Sequence, residues 1–520
     1  MTNRLLCGLI FLVTGFLHGC AVNPVTGKNE LSLVSDAQEK AIGAQQYGPS
    51  MQSQGGEFVT DPVLSDYVNT VGQRIARVSD RPLDYEFVVL NSSVPNAWAL
   101  PGGKIAVNRG LLTELNSEAE LAAVLGHEVV HAAARHGAQA ITRGTLLQGA
   151  LVVGAIAVND SEYADYIVGA SQLGAQLISQ RYGREAEREA DYYGIEYMVR
   201  AGYDPQAAVS LQETFVRLSE GRNQGWLDGL FASHPPSEER VANNQALVDE
   251  LMPRLQGRDL ETGEVRYQLA IAFIEENAEA YALFDEAHAA IADGELAVAL
   301  LNLDTAIEML PREARFNGLK GEVLLYQDNF RGALKAYDEA IGRDDNYYDY
   351  YLGRGLAHAR LGNRNQARQD LEHSASLLPT AIAMNELGKI ALADNDRNQA
   401  KTYFREASQA QGRVGQQASE SFIRLDIVDN PGAYLAVRTF ADDQGGIHAR
   451  VSNNSGLDLQ DIQVSFSAFI GSRVVTQSRS IRRLSAASYT DVNSGLRFAE
   501  GQEWSQEQMD AQVTAARAEL

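Results

Sequence analysis

A chain of 520 residues, 45% of them hydrophobic, can bury several cores and should hold about three domains. Its 44 basic against 68 acidic residues give a formal charge of −24, which argues against nucleic acid or anionic lipid headgroups as main partners.

In chain order, Arg4 precedes an apolar run over residues 5–17, too short to span a membrane as a mature helix and right for the core of a signal peptide. Leu17-His18-Gly19-Cys20 resembles a lipobox, with His18 an unusual occupant. The expected leader is residues 1–19, and Cys20 becomes the acylated first residue. Cys7 falls inside the leader, so the mature chain would keep one cysteine, bearing lipid, and no disulfide even in an oxidising periplasm. Ala21, rather than Asp, after the cysteine points to the outer membrane.

Residues 85–90 and 104–107 read as strands joined by a connection over residues 96–103. An extended peptide substrate needs backbone partners, and a strand edge can supply them, so substrate main chain is expected against residues 96–100. Trp98 suits a core equally well.

The pentapeptide His127-Glu128-Val129-Val130-His131 follows in a helical setting: Ser117 and Glu120 read as a capping box, Leu121, Val124, Leu125 and Val129 recur at helical spacing, and Gly137 supplies a stop. At about 100° per residue the two histidines lie roughly 40° apart and can reach one metal, while Glu128 flanks the position where water would sit. H-E-x-x-H on a helix implies metal-assisted peptide hydrolysis. A tetrahedral zinc needs a third protein ligand. His136 is rejected: in the extended pattern the third histidine falls where this chain has Gly137, and on a continuing helix His136 points away from His127, leaving it as a helix C-terminal histidine. Residues 146–158 are apolar around Gln148, either a lid over the cleft or a dip into the membrane interface.

Residues 182–202 read as a second helix, ended by Gly202 and Pro205. Glu187 and Asp191, four apart, share a face; one can ligate zinc while the other accepts a hydrogen bond from a ligand histidine. Spacing alone leaves Glu185 and Glu189 in competition.

These motifs together resemble one family. The string from Asn96-Ala97-Trp98-Ala99-Leu100-Pro101-Gly102-Gly103-Lys104-Ile105 through Gly110-Leu111-Leu112, HEVVH with Arg135-His136, E-x-x-A-D at residues 187–191 and Ser233-His234-Pro235-Pro236 is similar to the gluzincin zinc metalloproteases comprising the CAAX prenyl endoproteases, HtpX and BepA, over about residues 30–250. The resemblance implies His127, His131 and Glu187 as ligands of one zinc ion per chain, Glu128 as general base, and Asp191 as orienter of His127 or proton donor. It implies two alternatives for His234: donor to the developing oxyanion, or fourth zinc ligand that displaces water and holds the enzyme latent. Arg240 matches a family position and equally suits a helix-surface salt bridge.

Ala299, Ala333 and Ala367 recur every 34 residues and Ala400 follows after 33. Each has a large apolar residue four on (Leu303, Tyr337, Leu371, Phe404) and a small one seven on (Ala306, Ala340, Ser374, Ala407). Gly321, Gly355 and Gly388 take the close-packing position of the preceding helix. The period is that of tetratricopeptide repeats, helical hairpins that stack into a concave protein-binding solenoid. Pro311 and Pro379 sit where that pattern has proline, and Asp345 replaces it once. Tyr347, Tyr348, Tyr350 and Tyr351 serve as anchors for a partner or as packing.

Beyond Pro431, Ile462, Val464, Phe466, Ala468 and Ile470 alternate with polar residues, and Asn453-Asn454-Ser455-Gly456 reads as a turn. The expected organisation is multidomain and mainly α: leader 1–19, an α+β metalloprotease domain over 20–256, a tetratricopeptide solenoid over 280–412, a small sandwich-like β domain over 432–498, and a polar helix or tail over 499–520. Three functions fit. The first is a periplasmic zinc endopeptidase, lipid-anchored to the outer membrane, whose repeats hold protein clients such as misassembled outer-membrane proteins or their assembly machinery. The second is a largely latent protease acting as a chaperone or assembly scaffold. The third is a hydrolase of peptidoglycan-associated or lipid-modified substrates.

Overall fold

The computed structural model describes residues 20–150, 182–221, 231, 233–499 and 504–519. The expected leader and the apolar residues from 151 to 158 lie outside them, as do the side chains of Cys20 and residues 146–150. Among the described residues, no helix is long and apolar enough to cross a membrane. The chain forms two compact units, residues 1–379 and 380–520.

The first unit begins with an antiparallel hairpin, β1 (Cys20–Val22) and β2 (Asn29–Leu31). Helix α1 (Asp36–Ser53) starts in a reciprocal Ser35/Gln38 capping box, and α2 (Pro62–Ala76) is capped by Asp61 with proline at its first position. A three-stranded sheet follows: β3 (Glu86–Leu90), β4 (Ala97–Leu100) and β5 (Lys104–Asn108). β5 is central, parallel to β3 and antiparallel to β4. The predicted connection over residues 96–103 thus contains a strand of its own. Its four residues Ala-Trp-Ala-Leu are all buried, which hides the period-two signal that a half-exposed strand would give.

Helix α3 (Glu118–Ala133) runs through the core, buried along nearly its whole length, with Leu121, Leu125, Val129 and Val130 fully covered. α4 (His136–Ala150), α5 (Arg184–Arg200) and α6 (Gln206–Gly221) pack against it, and α7 (Glu238–Leu251) packs on α5 and α6. Then come α8 (Glu264–Glu276), α9 (Ala278–Ala292), α10 (Leu296–Met309), α11 (Ala314–Tyr326), α12 (Phe330–Ile341), α13 (Tyr348–Arg360) and α14 (Arg364–Leu377), in consecutively packed hairpins.

The repeat positions behave as close-packed core. Ala299, Ala333 and Ala367 are fully buried, and a Cβ on Gly321 or Gly355 would strike Tyr337 or Leu371 of the paired helix. Tyr347 and Tyr350 are buried, so two of the four clustered tyrosines are packing. The helical hairpins abut the first domain at Glu313, 1% exposed. Its carboxylate accepts from Thr60 Oγ1 at 2.9 Å, Asn91 Nδ2 at 3.0 Å, Tyr281 OH at 2.9 Å and Arg315 N at 3.0 Å.

The second unit holds α15 (Ala381–Ala393), α16 (Arg397–Ala407) and α17 (Gly412–Asp426), with Ala400, Phe404 and Ala407 buried as the repeat pattern requires. Two antiparallel three-stranded sheets follow, built from β6 (Leu435–Ala441), β7 (Gly446–Asn453), β8 (Leu459–Ile470), β9 (Arg473–Leu484), β10 (Tyr489–Arg497) and β11 (Met509–Ala518). Their orders are β10-β7-β6 and β11-β8-β9, sharing a core of Leu435, Ile447, Val451, Ile462, Val464 and Phe466. The expected C-terminal polar helix is therefore a strand paired with β8. Met509, Val513 and Ala516 are its buried residues, spaced four and three apart as on a helix. Register shifts between Val513 and Ala515 and between Ala515 and Arg517 move them off period two.

Candidate metal centre

Ser117 caps α3, its hydroxyl accepting from Glu120 N at 3.1 Å. The Glu120 carboxylate turns to Asn116 N at 2.7 Å, so the reciprocal half of the predicted capping box goes one residue earlier. α3 and α5 cross nearly backbone to backbone: a Cβ on Gly126 would stand 3.1 Å from Gly194 O, and one on Gly194 3.1 Å from His127 N. That closeness brings the histidines of one helix against the acids of the other.

His127 Nε2 and His131 Nε2 stand 3.0 Å apart. Glu187 Oε1 lies 3.4 Å from His131 Nε2, and its Oε2 lies 3.6 Å from His127 Nε2. His234, in the loop before α7, brings Nδ1 to 3.2 Å from His127 Nε2 and 3.0 Å from Glu187 Oε1. One donor atom from each of the four side chains lies within 4.8 Å of the other three.

Three ring nitrogens and a carboxylate aimed at one point cannot satisfy one another through hydrogen bonds alone. The set fits a divalent transition metal held by nitrogen and oxygen. Glu128 adds to the fit: its Oε1 lies 3.6 Å from His234 Nε2, and its Oε2 is buried without a hydrogen-bond partner.

Asp191 Oδ1 sits 3.0 Å from His127 Nδ1. Arg240 donates Nε to Asp191 Oδ2 at 2.8 Å and Nη2 to Oδ1 at 2.6 Å, and its Nη1 is 3.3 Å from Glu187 Oε2. It is 8% exposed, so the helix-surface alternative gives way to a buried clamp. Burial disfavours a charge on Glu187, but His234, His131 and His127 outweigh it and hold the carboxyl well below its usual range. Asp191 is lowered likewise, with Arg240 overcoming burial, while burial dominates at Glu128 and raises it.

Glu185 is 86% exposed beside Lys28, and Glu189 turns to His136, so neither joins the four. Beside the cluster, Val124, Met198, Leu211 and Phe215 line an apolar cavity reaching His127 and Glu128. β4 is an edge strand of its sheet. Trp98, 3% exposed, packs with Leu90, Leu100 and Ala106 and is core.

His136 departs from the sequence reading. α3 ends at Ala133, Arg135 takes a left-handed φ of 63°, and α4 begins at His136, so Gly137 lies inside a helix rather than stopping one. The break swings His136 back: its Nδ1 lies 2.9 Å from His131 Nδ1 and its Nε2 3.3 Å from Glu189 Oε2. No glycine announces that turn. Tyr182 also escaped the sequence reading; its ring stacks on His131 with centroids 4.1 Å apart.

Histidines one turn apart on one helix, with a glutamate from a second and, beside them, a buried carboxylate with one oxygen left without a hydrogen bond, define a centre of the metallopeptidase class. The model of peptidase family M48 matches residues 62–248. Metalloprotease YcaL of Escherichia coli (strain K12) is 31% identical over 239 residues, covering 43% of this chain and 87% of the relative. The chain belongs to this family. Beta-barrel assembly-enhancing protease of Escherichia coli (strain K12) is 27% identical over 236 residues, covering 44% of this chain and 48% of the relative, so the match spans about half that relative's length. Among solved structures, pilF of Pseudomonas aeruginosa covers 31% of this chain and 72% of that chain at 18% identity and a TM-score of 0.28. The helical hairpins described above rest on this chain's own packing.

Proposed function

We propose that this chain is a zinc endopeptidase of the bacterial periplasm, lipid-anchored to the outer membrane through Cys20 and acting in quality control or assembly of envelope proteins. The observation that carries the catalytic part is the convergence of His127, His131, Glu187 and His234 beside Glu128, whose buried Oε2 has no hydrogen-bond partner. The envelope part is supported by the lipobox-like residues 17–20 and by the similarity to a β-barrel assembly-enhancing protease.

His127, His131 and Glu187 hold the zinc, and Asp191 orients His127 through Nδ1. When bound, zinc supplies a Lewis acid for the scissile carbonyl and makes water a better acid. Glu128 accepts the proton of the attacking water and delivers it to the leaving amine; burial raises its proton affinity towards that task. The apolar cavity beside the cluster accommodates a substrate side chain. The repeats hold protein clients.

His234 turns Nδ1 towards the metal ligands, within 3.0 Å of Glu187 Oε1, which favours its role as fourth ligand and latch over that of oxyanion donor. The same observation supports a second reading, a scaffold whose protease is mostly latent.

Zinc content and casein cleavage of the chain lacking residues 1–20 test both. One zinc per chain is expected, with Glu128→Gln retaining zinc and losing cleavage by about 10²- to 10⁴-fold, and His234→Ala cleaving faster. A Glu128→Gln protein as active as wild type would end the protease reading. A His234→Ala protein no faster than wild type would end the latch.

A further inference from the structure

Three side chains beyond the metal-facing group form a line that the catalytic reading leaves unused. His131 Nε2 faces His127 Nε2 at 3.0 Å and Glu187 Oε1 at 3.4 Å, so its lone pair belongs to the cluster and its proton to Nδ1. At 2.9 Å from that Nδ1 lies His136 Nδ1, and two ring nitrogens at this distance need one donor and one acceptor. His136 therefore accepts at Nδ1 and carries its own proton on Nε2, where Glu189 Oε2 receives it at 3.3 Å. Lys28 Nζ, from the loop between β1 and β2, donates to Glu189 Oε1 at 3.3 Å. His136 is 1% exposed and so is held in this geometry by packing.

We propose that His136 is a positioning residue of the metal centre, setting the tautomer and ring orientation of His131 and anchored in turn by Glu189 and Lys28. The two ligand histidines are then supported by different means: His127 directly by a carboxylate, and His131 by a carboxylate acting through a second imidazole. The break at Arg135 is what makes the second arrangement possible, because an unbroken α3 would carry His136 to another face of the helix.

This inference rests on the zinc reading of the site, and the test separates the two. Zinc affinity of the full-length protein is measured by competition with a chromogenic chelator for wild type, His136→Leu, His136→Asn and Glu189→Ala, with metal-free melting temperatures as a control for folding. Loss of the acceptor in His136→Leu should weaken zinc about 10- to 100-fold, the usual scale for removing such a support. His136→Asn places an oxygen where Nδ1 stood and should recover most of that affinity, while Glu189→Ala should lose less than His136→Leu. Wild type that fails to bind zinc overturns the metal centre itself. Wild type that binds zinc while His136→Leu binds equally well, or while His136→Asn is as weak as His136→Leu, overturns the positioning role alone.

Discussion

At His127 the two ring nitrogens have separate duties. Nε2 faces His131, His234 and Glu187, and Nδ1 meets Asp191, which Arg240 grips with two of its nitrogens. Removing Asp191 would leave His127 free to rotate and Arg240 as a buried cation with one remaining acid, Glu187. Asp191→Ala should therefore weaken zinc binding about 10- to 100-fold, and Asp191→Asn, which keeps an acceptor oxygen, should lose less. The chelator titration checks this, and an Asp191→Ala protein that holds zinc as tightly as wild type would show His127 to be fixed by other means. Glu187 and Asp191 could be chosen as a pair from their four-residue spacing, because neighbours on a helix face stay neighbours in any fold. Arg240 had no such local partner, since the acid it clamps lies 49 residues away.

Among the elements, α3, α5 and the repeat helices were legible because their signals are periodic and local. β4 and β11 were not: full burial erased the alternation of the first, and register shifts broke it in the second. The helical hairpins also carry a titration. On α11, burial and the neighbouring Asp349 of α13 push Glu322 up to about 7. The folded chain therefore binds this proton more tightly than the unfolded chain does, so the stability it contributes is whole below the ordinary carboxylate range and is lost as pH rises through about 7. Urea midpoints measured from about pH 5 to about pH 8 should fall more steeply for wild type than for Glu322→Gln, which cannot ionise. Identical slopes would mean that Glu322 titrates normally.

In the whole molecule, one acid joins the first domain to the helical hairpins within the first compact unit. Glu313 accepts from Thr60, Asn91 and Tyr281, groups 32 to 253 positions away in sequence, besides the amide of Arg315. Glu313→Ala strands these buried donors at about 1–3 kcal/mol each, so its thermal transition should fall well below that of Glu313→Gln, which retains one acceptor oxygen. A Glu313→Ala protein melting with wild type would show that the junction relaxes to let water in.

What the sequence by itself determined is whatever recurs at short range: a helix with histidines one turn apart, acids four apart on a second, a 34-residue repeat, and alternation along β8. Tertiary structure decided what depends on distant neighbours. It set His136 behind His131 by breaking a helix at a residue with no glycine signal, brought His234 to His127 from 107 positions away, and paired the C-terminal segment with β8. The physical reason is that helix and repeat periods are set by backbone geometry within a few residues. A turn in an unfavourable φ, a loop histidine's approach and a strand's partner are each chosen by packing energy, which the local sequence does not contain.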